Sequence, residues 1–61
     1  NEALDAINHA IELKDDFGEA FFNRGYLYMR IGNTKAGAAD LGRAGELGVP
    51  GAYNLLKRLA Q

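Results

Sequence analysis

Three features of this 61-residue chain predict an all-α fold of four antiparallel helices. Apolar residues recur at helical spacing through residues 2–14, 19–31, 35–47 and 50–60. Short breaks built from Gly, Asp and Asn separate those stretches. Finally, Ala10-Ile11-Glu12-Leu13 returns 34 residues later as Ala44-Gly45-Glu46-Leu47. A period of that length marks a helix-turn-helix repeat.

In the first stretch, Ala3, Leu4, Ala6, Ile7, Ala10, Ile11 and Leu13 fall on one half of a helix. Asp5, Asn8, His9 and Glu12 fall on the other. The apolar half is wider than one neighbour needs, so a further helix upstream is expected, in a longer protein of which this chain is a segment. Asp15-Asp16-Phe17-Gly18 breaks the pattern. Asp16 with Glu19 three residues on resembles a capping box for the second helix. The pair Asp15-Asp16 is read as cap and solvated charge rather than a metal site, because a hard cation needs about six oxygen ligands.

The second stretch is apolar nearly all round, through Phe21, Phe22, Gly25, Leu27, Tyr28, Met29 and Ile31. It is therefore expected to be the central helix. Gly32-Asn33 ends it, with glycine in the left-handed conformation, and Thr34 is placed to cap the third helix. The third helix is small-sided, with Gly37, Gly42 and Gly45 in its interior. Each interior glycine costs about 1 kcal/mol against alanine, so close approach of a neighbouring helix is expected there. Gly48 ends it and Pro50 opens the fourth. There Ala52, Tyr53, Leu55, Leu56, Leu59 and Ala60 form one face, and Asn54, Lys57, Arg58 and Gln61 a polar back. That one-sidedness suits a helix closing the end of a stack.

The length bounds the chain to one small domain. There is no cysteine, so no disulfide or thiolate metal site supports it. A net charge of −1 gives no general pull toward nucleic acid. No apolar run reaches the roughly 18 residues of a membrane span. The charge is nevertheless segregated. Residues 1–20 carry Glu2, Asp5, Glu12, Asp15, Asp16 and Glu19 against Lys14, a net −5. Residues 21–61 carry Arg24, Arg30, Lys35, Arg43, Lys57 and Arg58 against Asp40 and Glu46, a net +4. Two readings stand: solvated faces that happen to segregate, or acidic end stacking on basic end.

Phe21, Gly25 and Tyr28, then Gly37, Leu41 and Ala44, resemble the tetratricopeptide repeat family, whose pattern is W-x2-L-G-x2-Y followed by A-x3-F, A and P. Earlier by 34 residues, Ala3, Ile7 and Ala10 fill the last three roles. Asn23-Arg24-Gly25 with Ala39-Asp40 is similar to a bacterial subclass. The run from Ala44 to Gly48 into Ala52–Leu56 also resembles the related Sel1-like repeat, although the short turn Gly32–Lys35 argues against that. Departures are Arg24 where the pattern has Leu, Gly37 where it has Ala, and proline one place late at Pro50.

The resemblance implies an α-solenoid fragment of antiparallel helix-turn-helix repeats. Residues 1–14 would be the second helix of one repeat, 19–48 a full repeat and 50–61 a C-terminal capping helix. It implies a non-enzymatic scaffold that binds a protein or peptide in a concave groove. The groove positions carried over are Glu19, Phe22, Asn23, Tyr26, Met29, Arg30, Asn54 and Arg58. The asparagines and arginines suit peptide backbone or carboxylate. Phe22, Tyr26 and Met29 suit apolar anchors, while packing on a neighbouring helix is the other reading for Phe22 and Met29. Structural self-association into a homo-oligomer, through the exposed first helix or the opposed charges, is the alternative function.

Chemistry has little to work with. Ser and Cys are absent and Thr34 is the lone aliphatic hydroxyl, which removes the usual nucleophiles. His9, the sole histidine, is read as a solvated surface side chain. No catalytic, metal or cofactor residue is assigned, and no nucleic acid or membrane partner is expected. Arg24 points into an apolar arc, with Asp40 at the edge of the facing helix's apolar arc. An unpaired buried charge is costly, so the two are expected to pair.

Overall fold

Four helices in sequence make up the computed structural model, which describes residues 2–59, with side chains through 58. They are α1 (Glu2–Leu13), α2 (Gly18–Arg30), α3 (Thr34–Glu46) and α4 (Ala52–Leu59). Each helix packs chiefly on the next in sequence, and α2 lies between α1 and α3. The tightest pairing is α2 with α3. Gly18 lies against Leu47, Gly25 against Gly37, Asp40 and Leu41, and Met29 against Gly37. Going forward along α2 the partner moves back along α3, so the two are antiparallel.

Glycine sets how closely α2 and α3 approach. A Cβ added to Gly37 would lie 2.9 Å from the Gly25 carbonyl oxygen and 2.9 Å from Met29 Cγ. A Cβ on Gly25 would lie 3.0 Å from the Gly37 oxygen and 3.0 Å from Leu41 Cγ. The two backbones therefore touch at this crossing. Gly45 has a different reason: a Cβ there would enter the Tyr53 ring, 2.5 Å from its Cζ. Gly42 has none, since nothing lies within 4 Å of its missing Cβ. The expectation that close approach explains all three glycines holds for Gly37 and, through a side chain, Gly45, and fails for Gly42.

The core is small. Among the described residues Ala20, Leu41, Ala44 and Ala52 are the buried hydrophobics, and Leu41 is the largest side chain fully enclosed. The body measures only 32 × 24 × 14 Å, so few side chains can be covered on every side. α2 is central as expected, yet its aromatic residues Phe21, Phe22 and Tyr28 are half-buried, and Ile31 lies beyond the helix and 58% exposed. On α4, Ala52 is buried, Leu55 and Leu56 half-buried, and Tyr53 half-exposed over Gly45. Leu59, Ala60 and Gln61, expected on the two faces of this helix, lie outside the described side chains.

Both α2 and α3 end in the same way. Asn33 N–H donates to the Tyr28 carbonyl at 2.8 Å with Gly32 at φ +91°. Val49 N–H donates to the Ala44 carbonyl at 3.0 Å with Gly48 at φ +88°. These six-to-one bonds around a left-handed glycine satisfy carbonyls the helix itself leaves open.

The starts correct three expectations. Phe17, not Asp16, occupies the N-cap of α2, and no side chain caps it. The Phe17 carbonyl accepts from Ala20 and Phe21, which leaves Asp16 in the turn outside. Glycine is required at the first helical position because Leu47 and Val49 lie where its Cβ would be. Asn33, not Thr34, caps α3, its Oδ1 accepting from Ala36 N–H at 3.4 Å. Asn33 thus closes one helix and opens the next, and Thr34 becomes the first helical residue. Pro50 does not open α4. It stands in a turn with Gly51 at φ +83°, a conformation no helix can run through, so α4 starts at Ala52.

Arg24 joins three helices. Its Nε and Nη2 donate to the two carboxylate oxygens of Asp40 on α3 at 2.7 and 2.8 Å, the expected pair in bidentate form. Its Nη1 donates to Asn8 Oδ1 on α1 at 2.9 Å. Asn8 is placed by the sequence on the half opposite the apolar residues. It is instead half-buried and turned toward α2, because Arg24 has a donor left over after Asp40 is satisfied. The Arg24 guanidinium also lies 5.4 Å from the Phe21 ring centroid and 5.9 Å from that of Tyr28. The hydrogen bond to Asp40 raises the guanidinium pKa above its already high ordinary value, against a smaller opposing effect of desolvation. A raised pKa contributes stability that is lost only as pH rises through it, so the pair keeps its cation at every working pH.

Two sets of substitutions test this account by urea unfolding followed by circular dichroism. Gly37→Ala is expected to lose about 1–3 kcal/mol by overpacking, whereas Gly42→Ala is expected to gain about 0.5–1 kcal/mol because alanine meets open space. Equal effects at both sites would contradict the packing described. Asp40→Ala is expected to lose about 2–4 kcal/mol, leaving Arg24 half-buried without its partner, while Arg24→Leu with Asp40→Leu should recover most of that loss.

Candidate functional site

Every third and fourth residue along the outer side of α2 falls on one face: Glu19, Phe22, Asn23, Tyr26 and Arg30. Gly25 and Ala20 occupy the buried side and fix which way this face points. Glu19, Asn23, Tyr26 and Arg30 are exposed and Phe22 is half-buried. Arg30 lies over the Tyr26 ring, 5.9 Å from its centroid, so these two form a unit at the far end of the face.

At the near end the face meets the turn after α3. Glu19, Phe22, Asn23, Val49 and Pro50 line an open groove of about 460 Å³. Its wall is set by the contact at Gly18. A Cβ there would lie 2.7 Å from Val49 Cγ2 and 3.1 Å from Leu47 Cβ, so the turn rests directly on the first residue of α2. The groove therefore has an apolar wall from Phe22, Val49 and Pro50, with a carboxylate and a side-chain amide beside it. Such a surface can hold an apolar side chain and hydrogen-bond an extended backbone next to it.

Neither the protein-family models nor the curated proteins nor the solved structures contain a match to this chain.

The structure brings three of the eight expected positions into that groove: Glu19, Phe22 and Asn23. Tyr26 and Arg30 lie further along the same face of α2. Met29 does not join them. Its Cγ and Sδ would lie 2.9 and 3.1 Å from a Cβ on Gly37, so it fills the seam between α2 and α3. That contact agrees with the packing reading of Met29, whose side chain is half-buried. Asn54 and Arg58 are exposed on α4 and stand outside the groove lining. His9, Asp15 and Asp16 are exposed, and among the described residues no three His, Asp or Glu side chains converge. No described helix is long and apolar enough to cross a membrane.

Val49 and Pro50 were missed as groove residues. A partial signal for Val49 exists in the sequence: an apolar residue directly after the left-handed glycine commonly packs back on the last turn of the helix that the glycine ends. Gly48-Val49 has that form. Nothing comparable marks Pro50, whose place depends on the turn that Gly51 makes.

Gly18→Ala tests the seating of the turn. The added methyl must displace Val49, so amide chemical shifts of Val49, Gly51 and Phe22 should move together, with a stability loss of about 1–2 kcal/mol. Shifts confined to residues 16–20 would mean that the turn does not rest on Gly18.

Proposed function

We propose that this chain is a non-enzymatic protein- or peptide-binding scaffold of the tetratricopeptide kind, which reads its partner along the outer face of α2. The groove between Glu19, Phe22, Asn23, Val49 and Pro50 is the observation that carries the reading. Three features support the family likeness behind it: the 34-residue recurrence, the Gly25–Gly37 backbone contact, and Leu41 and Ala44 with no exposed surface between the helices. The groove suits an extended segment with one apolar residue. That residue would sit on Phe22, Val49 and Pro50, with the Asn23 amide on its backbone. Tyr26 and Arg30 extend the contact along α2 and provide an aromatic and a cation at the end away from Glu19. Aromatic and arginine side chains are the types that dominate binding energy at such surfaces.

Selection of short peptides from a displayed random library against the 61-residue chain tests this reading. Binders should carry an apolar anchor and should shift the amide resonances of Glu19, Phe22, Asn23 and Val49. Phe22→Ala with Asn23→Ala should weaken them by about tenfold, the loss of roughly 1.4 kcal/mol, with helicity unchanged. Binders whose shifts map away from α2, or whose affinity survives both that variant and Tyr26→Ala with Arg30→Ala, would refute the groove.

A further inference from the structure

The two ends of the helix stack are complementary. Among the described residues α1 packs chiefly on α2 and α4 on α3, so these two helices flank the α2–α3 pair. α1 has no buried residue. Leu4, Ile7, Asn8 and Ile11 are half-buried along one stripe. Ala3, Ala6 and Leu13 are exposed, with Ala10 half-buried among them, on a second apolar stripe roughly 120° round the helix. Leu13 is 75% exposed. The exposed carboxylate of Glu2 adjoins that second stripe, those of Asp5 and Glu12 lie further round the outer side of the helix past the exposed His9, and α1 contains no Lys or Arg. α4 has the opposite character. Its outer side presents Tyr53, Asn54, Lys57 and Arg58, all exposed, and the helix contains no Asp or Glu.

We propose that the chain assembles head to tail with further copies of itself, the basic outer face of α4 in one copy docking on the acidic outer face of α1 in the next. Charge selects this arrangement over the symmetric ones. Two α1 faces would oppose three carboxylates to three, and two α4 faces would oppose two cations to two. Across the unlike pair, Lys57 and Arg58 meet Glu2, Asp5 and Glu12, and the exposed side of the Tyr53 ring, whose other side rests on Gly45, has the Ala6, Ala10 and Leu13 stripe to cover. The contact is heterologous, so each added copy leaves one free α1 and one free α4, and growth is open-ended. The eight residues of α4 span only about 12 Å, and an interface that short falls below the roughly 1,000 Å² of stable complexes. Assembly is therefore weak and sensitive to salt. It uses a different surface from the α2 groove and does not depend on peptide binding there.

Sedimentation equilibrium of the 61-residue chain between about 10 μM and about 1 mM brackets a contact of this strength. The weight-average mass should rise through that range, and the association constant should fall by about tenfold as salt rises from low to physiological strength and beyond. Two variants test the geometry: Asp5→Lys with Glu12→Lys, and Lys57→Glu with Arg58→Glu. Each alone should remain monomeric, because both of its ends then carry the same sign. An equimolar mixture of the two should regain association, since each supplies the end the other lacks. Circular dichroism verifies the fold of each variant, and the milder Lys57→Gln with Arg58→Gln should lower association by about threefold without reversing charge in the last turn. A wild-type chain that stays monomeric throughout would overturn the proposal and assign the α1 face to another occupant. So would a Lys57→Glu, Arg58→Glu variant that associates like wild type, or folded variants whose mixture stays monomeric.

Discussion

One guanidinium determines how three of the four helices sit together. Arg24 donates from two nitrogens to Asp40 on α3 and from a third to Asn8 on α1. The aromatic rings of Phe21 and Tyr28 lie beside the same group. Only arginine offers a planar fork that can satisfy a carboxylate with one edge and reach a different helix with the remaining nitrogen. The geometry depends in turn on the neighbouring residue. Gly25 meets Gly37 backbone to backbone, which brings α3 close enough for the Asp40 carboxylate to receive both bonds. A larger residue at either glycine would lengthen the charge pair as well as crowd the core.

The same close approach reaches the groove. α2 and α3 touch at Gly25–Gly37 near the middle and again at Gly18, where Leu47 and Val49 lie over the helix start. Between these contacts Leu41 and Ala44 leave no exposed surface. The α3–α4 turn is consequently held against α2, and Phe22, Asn23 and Glu19 acquire Val49 and Pro50 as an opposite wall. The groove follows from helix approach distance, not from a dedicated loop. α4 depends on the approach at its own start, where Gly45 leaves room for the Tyr53 ring and Ala52 is completely covered.

Helix number, order and approximate span were legible because apolar periodicity and left-handed glycines act locally, as at Gly32 and Gly48. The Arg24–Asp40 pair was legible for a different reason: a charge in an apolar arc demands a partner, and few were within reach. Asn8 was not legible. Periodicity placed it among polar residues, and its role depends on a donor that remains free only in the assembled fold. The helix starts failed because residue type alone does not fix which of two adjacent positions caps a helix: Asn33 rather than Thr34 caps α3. The first cap is Phe17 through its backbone carbonyl alone, and Gly51 delays α4 past Pro50. Of the site, the α2 face could be read from spacing. Its opposite wall could not, because Val49 and Pro50 lie about 30 residues further along the chain and face Phe22 across the groove only through the tertiary turn.

Arg24 and Asp40 matter more for choosing a structure than for stabilising one. Exchanging a buried ion pair for well-packed apolar side chains is often neutral or favourable, so the pair adds little net free energy by itself. The α3 surface it crosses is nearly featureless: Ala36, Gly37, Ala38, Ala39, Gly42, Ala44 and Gly45, with Leu41 as the sole large apolar residue. A surface of that kind discriminates poorly between registers one turn apart, a slide of about 5.4 Å. Slipping by a turn would leave Arg24 opposite Gly37 or Ala44 and bury two unpaired charges, which costs several kcal/mol. Small residues let α2 and α3 approach closely but leave their register weakly defined. The ion pair supplies that definition, and Asn8 extends it to α1, the helix with no buried residue of its own to hold it in place.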